Sequence, residues 1–180
     1  MSRSKKVELF GERILLRGLR ETDADTLVKI ANDAEISKYT PLPFPFSLTD
    51  AEKIIGGTRN AMNRDKSYFL GIEFDETIIG MAGLLNLSRP DKSSEVGYWV
   101  GKDYRGKGFA TEALKLVIDF GFREEQLQKL WGRVTENNSV SIAILEGQGF
   151  YLVERIPKAR MIDGVLTTDL VYELTNHSPP

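Results

Sequence analysis

Cysteine is absent from the 180 residues. Disulfides, thiolate metal sites and a cysteine nucleophile are thereby excluded, and a reducing compartment, the cytoplasm, is the expected location. Histidine is nearly absent too: the one copy, His177, lies in the C-terminal tail. A histidine general base and a histidine-based cluster are therefore not expected, and no metal is predicted. Lys and Arg total 24 against 26 Asp and Glu, a net charge of −2. That balance offers no basic excess to grip a nucleic-acid backbone. No stretch reaches the roughly 18 apolar residues of a membrane-spanning helix, and no signal-length apolar run follows the basic residues 1–6. Neither nucleic acid nor a membrane is expected as a partner.

What is present fits a globular protein. With 41% hydrophobic and 28% charged residues, a chain of this length can bury a core without staples. A single domain over residues 1–180 is expected, its core at about 13–174 and its ends, 1–8 and 175–180, flexible. A monomer or a homodimer is expected.

Arg13-Ile14-Leu15-Leu16-Arg17 reads as a strand. Thr22 and Asp23 then precede a helix in which Leu27, Ile30, Ala31 and Ala34 repeat at helical spacing, ending near Ala34. Three prolines interrupt the aromatic segment Tyr39-Thr40-Pro41-Leu42-Pro43-Phe44-Pro45-Phe46. It is either a loop packed on the body or a wall of a substrate pocket, with Tyr39, Phe44 and Phe46 as the candidate contacts. Thr49 or Asp50 caps a second helix to about Asn63. Residues 68–74, 77–87 and 94–100 are β-rich runs with short connections, hence antiparallel neighbours. Ala110, Ala113, Leu114, Val117, Ile118 and Gly121 mark one face of a helix that runs to about Arg123. A strand at 127–135, a helix at 138–145, a strand at 150–156 and a turn at Asp163-Gly164 before a last strand at 165–174 complete the chain. The expected class is α/β (α+β), a mostly antiparallel mixed sheet of about seven strands flanked by about four helices.

The junction at Arg105-Gly106-Lys107-Gly108-Phe109-Ala110, between the run ending at Val100 and the helix, carries the chemistry. Two glycines let backbone approach a ligand, and the first amides of a helix point outward beside the positive end of its dipole, which suits phosphate oxygens. A GxG pair alone also fits an ordinary strand-to-helix turn. The Walker pattern, GxxxxGK followed by Ser or Thr, is not met here. The dinucleotide fingerprint opens a parallel crossover, whereas this loop follows an antiparallel meander. A diphosphate site on another fold remains.

With its flanks, the loop resembles the acetyl-CoA pyrophosphate loop of the GNAT superfamily of N-acetyltransferases, of the form Arg/Gln-x-x-Gly-x-Gly/Ala. The flanks are Glu95-Val96-Gly97-Tyr98-Trp99-Val100 before it, Ala110-Thr111-Glu112-Ala113 within it, and Asn138-Ser139-Val140-Ser141 and Gly149-Phe150 after it. Together with Asp163-Gly164 and Asp169 they are similar to the RimJ/RimL branch, the ribosomal-protein and related N-terminal acetyltransferases, over residues 13–174.

The resemblance implies a GNAT-like sheet splayed at the acetyl-CoA site, between the strand ending at Val100 and the one starting near Leu127. It implies pantetheine bonded to backbone at Trp99 and Val100. Pyrophosphate would be held at Arg105, Gly106, Lys107, Gly108, Phe109 and Ala110, and Asn138 would contact the cofactor arm, a residue that also fits a helix N-cap. Acetyl-CoA is the implied cosubstrate, and the implied reaction is direct attack of a primary amine on the thioester. Strand alternation puts Glu95 on one face with Gly97 and Trp99, as a candidate general base or a solvated strand residue. Many of these enzymes carry a tyrosine where this chain has Leu145, to protonate the leaving thiolate. Ser141, from the branch's N-x-x-S pattern, is the candidate instead, or a helix serine bonded to the preceding turn. Arg160 stands where ribosomal members often carry an acidic residue. The expected acceptor is a protein N-terminal α-amine. The alternatives are a small-molecule amine (polyamine, amino acid or antibiotic) and a non-catalytic acyl-CoA-binding sensor.

Overall fold

The structure, a computed structural model, describes residues 6–176; His177 and the rest of the tail lie outside the described residues. The strands are β1 (Glu8–Phe10), β2 (Leu15–Arg17), β3 (Tyr68–Phe74), β4 (Thr77–Ser88), β5 (Ser93–Val100), β6 (Lys129–Thr135), β7 (Tyr151–Ile162) and β8 (Val165–Thr175). The helices are α1 (Ala24–Ala31), α2 (Ala34–Tyr39), α3 (Leu48–Asn63), α4 (Phe109–Asp119) and α5 (Ser139–Gly147). The strands form one sheet in the order β1-β2-β3-β4-β5-β6-β8-β7. Every neighbouring pair is antiparallel except β5 and β6.

Period-two alternation divides the hydrophobic residues between two layers. One core packs α4 and α5 against the sheet through residues such as Leu84, Val96, Val100, Leu114, Leu130 and Leu145. The other packs α1, α2 and α3 against Ile78, Met81 and Trp99. Its buried sheet residues come from β4 and β5, and Phe69 of β3 packs against them, partly buried. Among the described residues no helix is long and apolar enough to cross a membrane.

The expected class holds, with eight strands and five α-helices among the described residues where about seven and about four are read from the sequence. The extra strand, β1, is three residues long, too short to display alternation, and Glu8 within it pairs with Arg17 although residues 1–8 read as a flexible end. The first helix stops at Ala31, and the turn that follows is α2, begun where the Asp33 side chain accepts the Glu35 amide. Tyr39 therefore ends a helix and is not part of the proline-rich loop. The cap of α3 is Ser47, not Thr49 or Asp50: Ser47 Oγ accepts the Asp50 amide at 3.3 Å while Asp50 Oδ2 accepts the Ser47 amide at 2.9 Å. This reciprocal pair satisfies donors that Thr49 or Asp50 as caps would leave open. β7 runs on to Ile162 past a register break between Ile156 and Arg160, so the closing hairpin is longer than its sequence suggests.

Candidate active site

From β5 the chain enters a 3-10 turn, Lys102–Tyr104, and then passes through the glycine loop into α4. Gly106 (φ +71°) and Gly108 (φ +81°) both occupy the left-handed region that favours glycine. Gly108 is the N-cap residue of α4, no side chain caps the helix, and the first amides face outward at the positive end of its dipole. Arg13, which sequence reasoning did not single out, fastens this loop from outside. Its N and Nε donate to Glu112 Oε1 and Oε2 at 2.8 and 2.9 Å, and its Nη1 donates to the Lys107 carbonyl at 2.9 Å. Its guanidinium lies 4.7 Å from the Phe109 ring centroid. Burial pushes the Glu112 carboxyl up, but the Arg13 hydrogen bonds and charge outweigh it and hold the group below its ordinary range. The side chains of Arg105 and Lys107 are engaged elsewhere. Arg105 donates to Asp33 Oδ2 at 2.7 Å and to the Val100 carbonyl at 3.0 Å, and Lys107 Nζ donates to the Asp103 carbonyl at 2.8 Å. What the loop presents to an anion is backbone amide.

β5 and β6 pair in parallel only where Ser93, Ser94 and Glu95 face Lys129, Leu130 and Trp131. Beyond those residues the strands part: β5 continues against β4 and β6 against β8. The Gly101 amide donates to the Ile79 carbonyl at 2.8 Å, and the Trp99 carbonyl lies 2.2 Å from where a Cβ on Gly80 would stand. Both residues thus direct their peptide groups at β4, and by alternation Tyr98 and Val100 direct theirs into the gap. The expectation for Trp99 is corrected accordingly: its backbone faces β4, and its side chain belongs to the α1–α3 core. An open groove of about 480 Å³ runs along the length of α5 beside the start of α4, lined by Thr111, Ser139, Ala143 and Gln148 among others. Outward amides, an unpaired strand edge and this groove fit a long, amide-bearing diphosphate such as acetyl-CoA.

Glu95 stands at the last paired position, opposite Trp131, where the gap opens. It is half-buried, and its Oε2 accepts from Asn86 Nδ2 at 2.6 Å. Asn138 caps α5, its Oδ1 accepting the Ser141 amide at 3.2 Å. Ser141 sits against the other side of the sheet, its carbonyl accepting from the Tyr98 hydroxyl at 3.2 Å. Tyr98 alternates with Glu95 along β5, so Glu95 and Ser141 flank the gap from opposite faces. Burial pushes the Tyr98 phenol up to about 12, which keeps it protonated as a tether for α5. Leu145 is 3% exposed and packs in the core. On the acceptor side, Phe44 is exposed and Tyr39 is half-buried beneath Lys38, whose Nζ lies 5.6 Å from its ring. Phe46 is 2% exposed inside the α1–α3 core, so its ring does not form an open pocket wall.

The acetyltransferase (GNAT) domain family matches residues 13–151. The chain belongs to the GNAT acetyltransferase family. Its relatives include "Uncharacterized N-acetyltransferase p20" of Bacillus licheniformis, 31% identical over 145 residues that cover 79% of this chain and 81% of the relative. They also include "Putative ribosomal N-acetyltransferase YdaF" of Bacillus subtilis (strain 168), 28% identical over 171 residues, covering 93% of this chain and 91% of the relative. The solved structure of Mycobacterium smegmatis RimJ in complex with CoA-disulfide superposes with a TM-score of 0.84 over 97% of this chain and 88% of that one. At 24% identity that likeness shows a common fold. The RimJ/RimL resemblance read from the motifs is thus matched in fold. As a GNAT chain it is an N-acetyltransferase, and its splay between β5 and β6 and its α4 loop are the elements available to an acetyl-CoA donor.

Proposed function

We propose that this acetyltransferase transfers the acetyl group of acetyl-CoA to the α-amine of a protein or peptide N-terminus. The observation that carries this reading is the placement of Glu95 at the mouth of the gap, on the face opposite Ser141. An α-amine with a pKa near 7.7 costs only about 1 kcal/mol to deprotonate at pH 7, whereas a lysine amine costs about 4–5 kcal/mol. A carboxylate, directly or through water, suffices for the first. In the transfer the amine nitrogen bonds to the carbonyl carbon, the carbon–sulfur bond breaks, and the amine proton passes toward Glu95. Ser141 stands on the thiolate side as the hydrogen-bond donor to sulfur. Val100, Gly106, Gly108, Phe109 and Ala110 offer backbone groups to the cosubstrate, and Asn138 offers the side-chain nitrogen that its capping bond leaves over. The ribosomal name borne by the Bacillus subtilis relative agrees with a protein acceptor. The test is an acceptor screen with labelled acetyl-CoA: label reaching peptide N-termini supports the reading, and label reaching spermidine but no α-amine overturns it.

A further inference from the structure

The half of the sheet beyond the gap carries a charge arrangement that the fold does not need. Arg133 on β6 and Arg160 on β7 both donate to one oxygen of Asp169 on β8, at 2.6 and 2.7 Å. Asp169 is fully buried, and its other oxygen, Oδ1, has no partner among the described residues. Thr135, which faces Asp169 in the β6–β8 register, has an equally unpartnered and buried hydroxyl. A buried carboxylate half-satisfied in this way is a poor stabilising device, because desolvating it is expensive. Its effect is to fix two guanidinium groups. Their side chains are 40% and 34% exposed, and one carboxylate leaves one of their two charges uncompensated.

Register places this pair beside the site. Trp131 faces Glu95 where the gap opens. Arg133 lies two residues farther along β6 on the same face, roughly 7 Å away at the strand rise. The α1–α3 core takes its buried sheet residues from β4 and β5, and α2 meets the far half of the sheet at the tip of the closing hairpin, beside Met161 and Asp163. Of the surrounding carboxylates, Glu136 accepts from the Thr168 amide at 3.2 Å and pairs with Arg155 at 3.7 Å, Asp163 pairs with Lys38 at 2.7 Å, Glu173, opposite Trp131, pairs with Lys129 at 3.0 Å, and Glu154, opposite Val171, is exposed. Lys158, in the register break of β7, adds a further exposed positive charge.

We infer that the acceptor carries a carboxylate about two residues of extended chain from its reactive α-amine, read by Arg160 and Arg133. This rests on the α-amine reading above and narrows it. An N-terminal segment with Asp or Glu at its second or third position has this chemistry, whereas a free acidic amino acid carries its carboxylates on the amine-bearing residue. Guanidinium forks bind carboxylates with two parallel hydrogen bonds, and a polycation would be repelled.

The test compares kcat/KM for peptides that begin Ala-Asp, Ala-Asn and Ala-Lys, and for free glutamate and glutamine, with CoA release as the signal. Ala-Asp is expected to exceed Ala-Asn about tenfold and Ala-Lys by more, with the excess shrinking as salt is raised. In Arg160→Gln the Asp-to-Asn ratio should fall toward one, and Arg160→Glu should turn the preference toward Ala-Lys, an inversion that a structural role does not produce. Arg133→Gln gives an independent reading of the same ratio if Arg160 variants lose their melting transition. A preference for glutamate over Ala-Asp places the carboxylate on the amine-bearing residue itself and overturns the two-residue spacing. Equal rates for Ala-Asp and Ala-Asn, or a ratio unmoved by both arginine variants, overturn the inference while leaving the α-amine reading intact. Acetylation of no α-amine, with acetyl-CoA binding preserved, overturns the earlier reading and this one together.

Discussion

Replacing Arg13 with alanine removes the guanidinium that fastens the glycine loop and leaves the backbone bond from residue 13 to Glu112 in place. The bond from Nε to Glu112 is charge-assisted. With the Arg13 side chain 45% exposed, solvent screening brings its worth to roughly 0.5–1 kcal/mol. The bond to the Lys107 carbonyl adds about 0.5 kcal/mol at similar exposure, and the guanidinium over Phe109 about 0.5 kcal/mol. Some 1.5–2 kcal/mol thus holds the loop in its outward-facing form, and releasing it should weaken acetyl-CoA binding about tenfold to thirtyfold. Isothermal titration with CoA measures the affinity, and a steady-state series in acetyl-CoA separates KM from kcat. The expected signature is a raised KM with kcat within about twofold, since Arg13 touches the loop and not the gap. Because these bonds also hold the Glu112 carboxyl down, its pKa should rise in Arg13→Ala. An unchanged CoA affinity, or a fall confined to kcat, would refute the view that Arg13 shapes the phosphate site.

Gly108→Val places a β-branched residue at φ +81°, a strain of about 1–2 kcal/mol or more that the loop relieves by leaving its native form. CoA affinity should drop at least tenfold with the circular-dichroism spectrum preserved, and intact affinity would sink the loop assignment. Glu95→Gln should lower kcat/KM at pH 7 by about a hundredfold and move the onset of activity to higher pH; an unaltered pH profile removes Glu95 as the base. Burial pushes the Asp23 carboxyl up, but hydrogen bonds from Arg17 and the Arg20 amide outweigh it and hold the group below its ordinary value. A lowered folded pKa gives stability that is present above about pH 4 and lost as pH falls through the folded value. Asp23→Asn should therefore destabilise by about 2–3 kcal/mol at pH 7, less than a fully bared charge because Glu73 still pairs with Arg17. In urea titrations the gap between the two proteins should narrow as pH falls below about 4; a gap of constant size would refute the ion-pair account.

The parts of the site that are continuous in sequence were legible there. The glycine loop, the apolar face of α4 and the Asn138 cap each combine a local backbone need with a local residue choice, and each stands where its spacing predicts. The meander of β3, β4 and β5 was legible for the same reason, since short connections leave little freedom of topology. The Ser47 cap was also readable, because Ser47 and Asp50 form the capping-box spacing, but Thr49 and Asp50 compete for it. Arg13 was not legible: it meets Glu112 across a separation of 99 residues, and no local pattern records such a contact. The convergence of Arg133 and Arg160 on Asp169 depends on strand order β6-β8-β7 and on a register break, both settled by tertiary packing. Trp99 misled because its place next to the loop suggests ligand contact, whereas strand parity decides where its peptide group points.

The short parallel ladder between β5 and β6 makes the sheet two panels joined along a brief seam. A donor lying in the gap would supply hydrogen bonds where strand pairing is missing, so it would behave as a temporary ninth strand as well as a reagent. Its binding energy would then be added to the resistance of the seam to opening, by about 2.7 kcal/mol at a concentration one hundred times its dissociation constant. Once the acetyl group has left, the remaining coenzyme would continue to brace the panels until it departs. The firmness of this enzyme would thus follow the supply of coenzyme around it, and its slackest form would be the one waiting for a donor.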